Sequence, residues 1–188
     1  GRIVDCEIYG NENYNSYSPS SYSYGGGLSI SKEYNYKTLV VENTYVHDNS
    51  SRGIGGGMYV YGTDSNRRAN IINCRIENNI SQSEGGGLYL GYYVNVVGCN
   101  IANNTSSSNG GGICAHSYNN IINCNIVNNL STSTSTSRYG GLHIDNYQNN
   151  VTNSIVWGNK RGDGSVISNF SVGSNVVVSY SAVQGGCA

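Results

Sequence analysis

Cys114, His116, His143 and Asp145 form the one concentration of cysteine, histidine and aspartate that appears when the glycine-led segments of this chain are aligned. Those segments are Gly25-Gly26-Gly27-Leu28, Gly55-Gly56-Gly57-Met58, Gly85-Gly86-Gly87-Leu88, Gly110-Gly111-Gly112-Ile113 and Gly140-Gly141-Leu142. Taken as stacked strands, their alternation sends Ser29, Tyr59, Tyr89, Cys114 and His143 outward as one ladder, and Ser31, Tyr61, Gly91, His116 and Asp145 as the next. A thiol with two imidazoles and a carboxylate suits zinc or copper, so Cys114, His116, His143 and Asp145 are a candidate metal set. Cysteine beside histidine also suits an activated nucleophile. The plainer reading is a solvated polar face that contains two histidines.

The same ladders hold Tyr59, Tyr61 and Tyr89, with Tyr92 and Tyr93 close by in sequence. Tyrosine rings flanked by His116, His143 and Asp145 suit a platform for sugar rings, which makes these six positions a candidate ligand face. Tyrosine ladders also steady parallel strands by cross-strand contact, and the sequence leaves both roles open.

What must position these residues is a repeat. Asn70 to Asn79, Asn95 to Asn104, Asn120 to Asn129 and Asn150 to Asn159 say nearly the same thing, each 25 or 30 residues after the last. A fixed period of that size marks a solenoid, in which a short unit must stack on its neighbours to bury its apolar face. Extending the alignment to Arg2–Asn11, Leu39–Asn49 and Asn175–Gly186 gives about seven coils in a single domain over residues 1–188.

One apolar column holds Ile3, Val41, Ile71, Val96, Ile121, Val151 and Val178; another holds Ile8, Val46, Ile76, Ile101, Ile126, Val156 and Val183. Exclusive β-branching favours strand over helix. Between them lies a column of small residues, Cys6, Thr44, Cys74, Cys99, Cys124, Ser154 and Ser181, two positions before the second apolar column and so on the same strand face. The residue before each small position is often Asn or Asp, which tolerates left-handed backbone and marks a corner. Asn49, Asn79, Asn104, Asn129 and Asn159 close their units, where stacked amides would bond from coil to coil. Three short strands per coil are expected, with length differences absorbed in loops at Glu12–Tyr24, Thr63–Ala69 and Leu130–Tyr139.

Of the six cysteines, Cys6, Cys74, Cys99 and Cys124 share one inward column, where parallel side-chain directions make poor disulfide geometry. Buried reduced thiols are expected there, while Cys187 could bond another chain. Arg161-Gly162-Asp163 is a three-residue integrin-type match that turn chemistry also explains, and the sequons at Asn49, Asn79, Asn104 and Asn129 fall on the ladder column as a by-product of the repeat. A formal net charge of −1 gives no electrostatic reason to expect nucleic acid, and no apolar run is long enough for a membrane-spanning helix.

The pattern I-x-N-C-x-I-x-N-N, a loop, then G-G-G-[LMI]-x-[IVL] resembles the right-handed parallel β-helix repeats of the pectin-lyase-like superfamily. It is most similar to the polymorphic outer-membrane-protein type of repeat. That resemblance implies an all-β right-handed parallel β-helix and a secreted or cell-surface setting. It does not supply a catalytic set: Asp64, Glu84, Asp145 and Asp163 are scattered, so the calcium-binding acids and basic residue of the superfamily's lyases find no counterpart. A structural or adhesive module without cofactor is therefore expected ahead of an enzyme, with carbohydrate binding or lyase activity as the alternative. Neither end shows a polar cap, so the expectation is either a fragment of a longer chain or self-association through the terminal coils, end to end into filaments.

Overall fold

The computed structural model describes residues 1–14, 23–31, 38–62, 64–145, 148–165, 170–172 and 175–185, with the backbone alone described for 170–172. Cys187 and the sequon at Asn169 lie outside them. Among the described residues there is no helix, and every pairing between named strands is parallel. Four sheets run along the molecule, two of seven strands and two of six, and each strand inside a sheet pairs with its equivalents one coil earlier and one coil later. This is a parallel β-helix.

The two β-branched columns supply the first two sheets. In the first, Ala69–Ile72, Val94–Val97 and Asn120–Ile122 pair so that Ile71, Val96 and Ile121 lie in one line, and Val41 and Val151 extend it. In the second, Val46, Ile76, Ile101, Ile126 and Val156 do the same. All ten of these side chains are fully buried. The inner positions of the glycine-led strands, Met58/Val60, Leu88/Leu90, Ile113/Ala115 and Leu142/Ile144, complete a single core, against which Ile3, Ile8, Val178 and Val183 of the outer coils pack only partly buried.

The corner between the first two sheets falls on the Asn and Asp positions named from the sequence. Asp5, Asn43, Asn73, Asn123 and Asn153 have φ between 49° and 56°, and Gly98 and Tyr180 take the same role in their coils. A second left-handed corner precedes Asn11 and each ladder asparagine, at Gly10, Asp48, Asn78, Asn103, Asn128 and Gly158. Left-handed backbone is cheap for Gly and tolerable for Asn and Asp, which explains the composition of both columns.

The coil has four strands where three were expected. The extra sheet is built from two-residue strands such as Ser50–Ser51, Ile80–Ser81, Thr105–Ser106 and Leu130–Ser131. Serine and threonine there read as loop because nothing apolar marks the inner side. In fact Ser51, Ser81, Ser106 and Ser131 point inward and are buried, with Ser81 Oγ bonded to the Gly53 and Glu84 carbonyls. The loops expected over Glu12–Tyr24 and Leu130–Tyr139 accordingly begin with short strands, Glu12–Asn13 and Leu130–Ser131.

The ladder of Asn49, Asn79, Asn104, Asn129 and Asn159 is buried to 0–1% exposure. Asn104 shows the pattern: its Nδ2 donates to Asn129 Oδ1 (3.0 Å) and to the Ile76 carbonyl (2.9 Å), and its Oδ1 accepts from the Asn79 backbone N–H and Asn79 Nδ2 (3.0 Å each). Buried amides with such partners are not available to glycosylation machinery. A second interior pair, Asn119 and Asn149, was not anticipated. Asn119 Oδ1 accepts from the Val94 backbone, Asn149 Oδ1 accepts from the Asn119 backbone, and their amides donate to the Gly91 and His116 carbonyls.

All the described cysteines are free thiols. Cys74, Cys99 and Cys124 are buried, but Cys6, expected inside with them, is exposed because it sits in the first coil with no neighbour beneath it. Hydrogen bonding with Cys124 and Cys74, together with burial, pushes the Cys99 thiol far above its usual value.

Candidate functional site

The glycine-led strands carry the outward ladders in the register read from the sequence: Ser29 pairs with Tyr59, Tyr59 with Tyr89, Tyr89 with Cys114, and Cys114 with His143. Glycine is required here for packing. A Cβ on Gly86 would lie 2.3 Å from the Gly111 carbonyl oxygen of the next coil. Gly91 likewise makes room for the Tyr61 ring, which would meet a Cβ there at 2.2 Å.

Outward does not mean solvated on this face. Cys114 is fully buried and Tyr89 is 9% exposed, in a side cluster with Ile54 and Tyr59. Two aromatic rows lie across this face. Tyr24, Tyr59 and Tyr89 make one, with centroids 4.7 and 5.6 Å apart; Tyr61, Tyr92 and His116 make the other, at 5.2 and 5.9 Å. The Tyr89 hydroxyl meets His116 Nε2 at 2.5 Å and ties the rows together. Together with Ile54, Ser83 and Glu84 the two rows line an open groove of about 460 Å³.

Burial raises the phenols of Tyr59, Tyr61 and Tyr89 above the usual value, most strongly at Tyr89, where Cys114, Glu84 and Asp145 add to it. The groove therefore presents neutral hydroxyls that both donate and accept. Tyr93 does not belong to it. With φ of 56° it turns away, stacks on Tyr118 at 4.9 Å and carries Arg68 over its ring.

The four residues first grouped for metal or nucleophile chemistry divide. His116 is engaged by Tyr89, and His143 Nε2 is hydrogen-bonded to Asp145 Oδ1 while its ring stacks on Tyr139. That bond from His143 outweighs burial and holds the Asp145 carboxyl below its ordinary value. The neighbours of Cys114 are instead Asp145 and Glu84, whose Oε2 lies 3.8 Å from Sγ. Burial, then the charges of Glu84 and Asp145, push the Cys114 thiol well up, an environment unsuited to a thiolate nucleophile.

Glu84 reads in the sequence as one of several scattered acids. It belongs to this site because the position four residues before each of the strands starting at Leu88, Ile113 and Leu142 forms its own column, Glu84 then Asn109 then Arg138. Asn109 Nδ2 donates to Glu84 Oε1 at 3.2 Å, and Arg138 Nη1 lies 3.9 Å from the same oxygen. The sequence carries this signal as Glu84-Gly85 and Asn109-Gly110, one residue ahead of the glycine columns.

The Arg161-Gly162-Asp163 tripeptide is spent on itself. Arg161 is 8% exposed and ion-paired with Asp163, and the turn is closed by the Gly164 N–H donating to the Arg161 carbonyl. Comparison of the chain with known protein families, curated proteins and solved structures finds no match.

Proposed function

We propose that the chain is an adhesive β-helix module of a secreted or cell-surface protein, and that the tyrosine groove is where it holds carbohydrate. The observation that carries this reading is the groove itself: about 460 Å³, open, and walled by Tyr24, Tyr59, Tyr61, Tyr89 and Tyr92 with one carboxylate, Glu84. That size fits a few sugar units. Rings supply apolar area and their hydroxyls supply hydrogen bonds, the pairing a polyol needs. Tyr24, 42% exposed, and the half-buried Tyr61 are the rings for sugar contact.

The resemblance of the coil to pectin-lyase-like and polymorphic outer-membrane-type repeats supports an extracellular setting for such a rod. Binding without turnover is the favoured reading, because the nearest acids are committed to Asn109, Arg138 and His143. Calorimetric titration with neutral and acidic oligosaccharides tests it. Saturable binding of at least one class, lost in Tyr61→Ala, is expected; no binding across both classes would sink the proposal. Release of unsaturated sugar product would replace the adhesive reading with a lyase.

A further inference from the structure

Beside the groove, three successive coils bring together a mixed set of sulfur and oxygen donors. Glu84 precedes Gly85, Cys114 is central in the strand Ile113–Ala115, and Asp145 follows the strand Leu142–Ile144. One carboxylate oxygen from each acid and Cys114 Sγ all lie within 4.8 Å of one another. A second, independent feature sits against them. Asn109 is 5% exposed, its amide rests on Glu84, and its Oδ1 is buried with no hydrogen-bond partner among the described residues. Rotation of that amide about its terminal bond exchanges Nδ2 for Oδ1 on the Glu84 side, which supplies a further oxygen donor.

We propose that Glu84, Cys114 and Asp145, with Asn109 as amide-oxygen donor, form a binding site for a zinc-class divalent cation. The thiolate disfavours calcium and magnesium, and the oxygens suit a borderline ion such as zinc. Charge closes as well: two carboxylates and a thiolate are balanced by a divalent ion and the Arg138 guanidinium. On binding, the Cys114 S–H proton leaves to solvent, the sulfur pair forms the metal bond, and no oxidation state changes. Tetrahedral zinc with ligands at about 2.0–2.3 Å needs donors about 3.3–3.8 Å apart, a contraction of about 1 Å within reach of side-chain rotation. His143 is a positioning residue: its ring fixes the Asp145 carboxylate, as imidazole–carboxylate pairs do around metal ligands. Relative to the set grouped from sequence, Cys114 and Asp145 remain as ligands, Glu84 takes the place of His116, and His143 moves to a supporting role.

Cobalt(II) titration of the full chain under reducing conditions tests the site, read by the thiolate-to-cobalt charge-transfer band in the near ultraviolet and its loss on adding zinc. The band is expected in the wild type and in Cys6→Ser, and absent in Cys114→Ser. Glu84→Gln, at a partly exposed position that leaves the core intact, should weaken cobalt binding at least about tenfold, and His143→Ala by about 10–100-fold. A wild-type chain without the band, a band that survives Cys114→Ser, or unchanged affinity in Glu84→Gln would each overturn the proposal. None of these readouts depends on carbohydrate.

Discussion

The asparagine column inside the coil and the Cys114 cluster outside it both remove polar groups from water, and they do so in opposite ways. Every amide atom of Asn79, Asn104 and Asn129 has a partner supplied by the repeat itself. Around Cys114 the side chains differ from coil to coil, and Asn109 Oδ1, His116 Nδ1 and His143 Nδ1 are buried with no hydrogen-bond partner among the described residues. Saturation by identical neighbours makes architecture. Incomplete saturation by unlike neighbours leaves donors and acceptors for something else, which is where chemistry has room.

The contrast can be broken most severely from the inside. Asn104→Ala strips the Ile76 carbonyl and the Asn79 backbone N–H of their Asn104 partners, and at about 1–3 kcal/mol for each unsatisfied buried group a loss of about 4 kcal/mol is expected. Chemical denaturation should record it. Gly86→Ala, which drives a Cβ into the backbone of the next coil, should cost about 3 kcal/mol by the same measurement.

A smaller and pH-dependent effect belongs to the outer face of the second sheet. His47 is held between Asp48 Oδ2 (2.6 Å) and Glu7 Oε1 (3.0 Å) and is stacked with Tyr45 and Tyr9. Burial works against its charge, but the hydrogen bonds to Asp48 and Glu7 prevail and raise it above 6.5. Its folded value exceeds the unfolded one, so the stabilisation is full below the ordinary histidine value and disappears as pH rises through the raised value. Melting temperature measured across that window should fall for the wild type and flatten in His47→Gln. The smallest effect should come from Asn95→Ala, which removes a rung between Asn70 and Asn120 on the solvent side of the first sheet. With water able to replace the lost bonds, a change below about 1 kcal/mol is expected, against the much larger loss at Asn104.

The same division governs what the sequence discloses. Ile71, Val96 and Ile121 declare the core because β-branched residues recur in one column, and Asn73 and Asn123 declare a corner because few other side chains accept φ near 50°. Ser81 and Ser106 conceal a strand, since a two-residue strand with an inward hydroxyl has no hydrophobic period. Asn119 and Asn149 conceal an interior ladder because only two coils share it. At the candidate site, the Tyr59–Tyr89–Cys114–His143 register was legible from alternation alone. The burial of Cys114 was not, because its cover is the cluster it forms with Ile54, Tyr59 and Tyr89, side chains whose packing no periodicity fixes.

The central claim, that the interior ladder holds the fold while the tyrosine face holds the ligand, is tested most directly by titrating oligosaccharide into the wild type and Tyr61→Ala with unfolding measured on the same samples. The account predicts saturable binding by the wild type, binding weakened at least about tenfold in Tyr61→Ala at a cost in stability below about 1 kcal/mol. Equal binding by both proteins, or a variant that loses binding only because it has lost its fold, would contradict it.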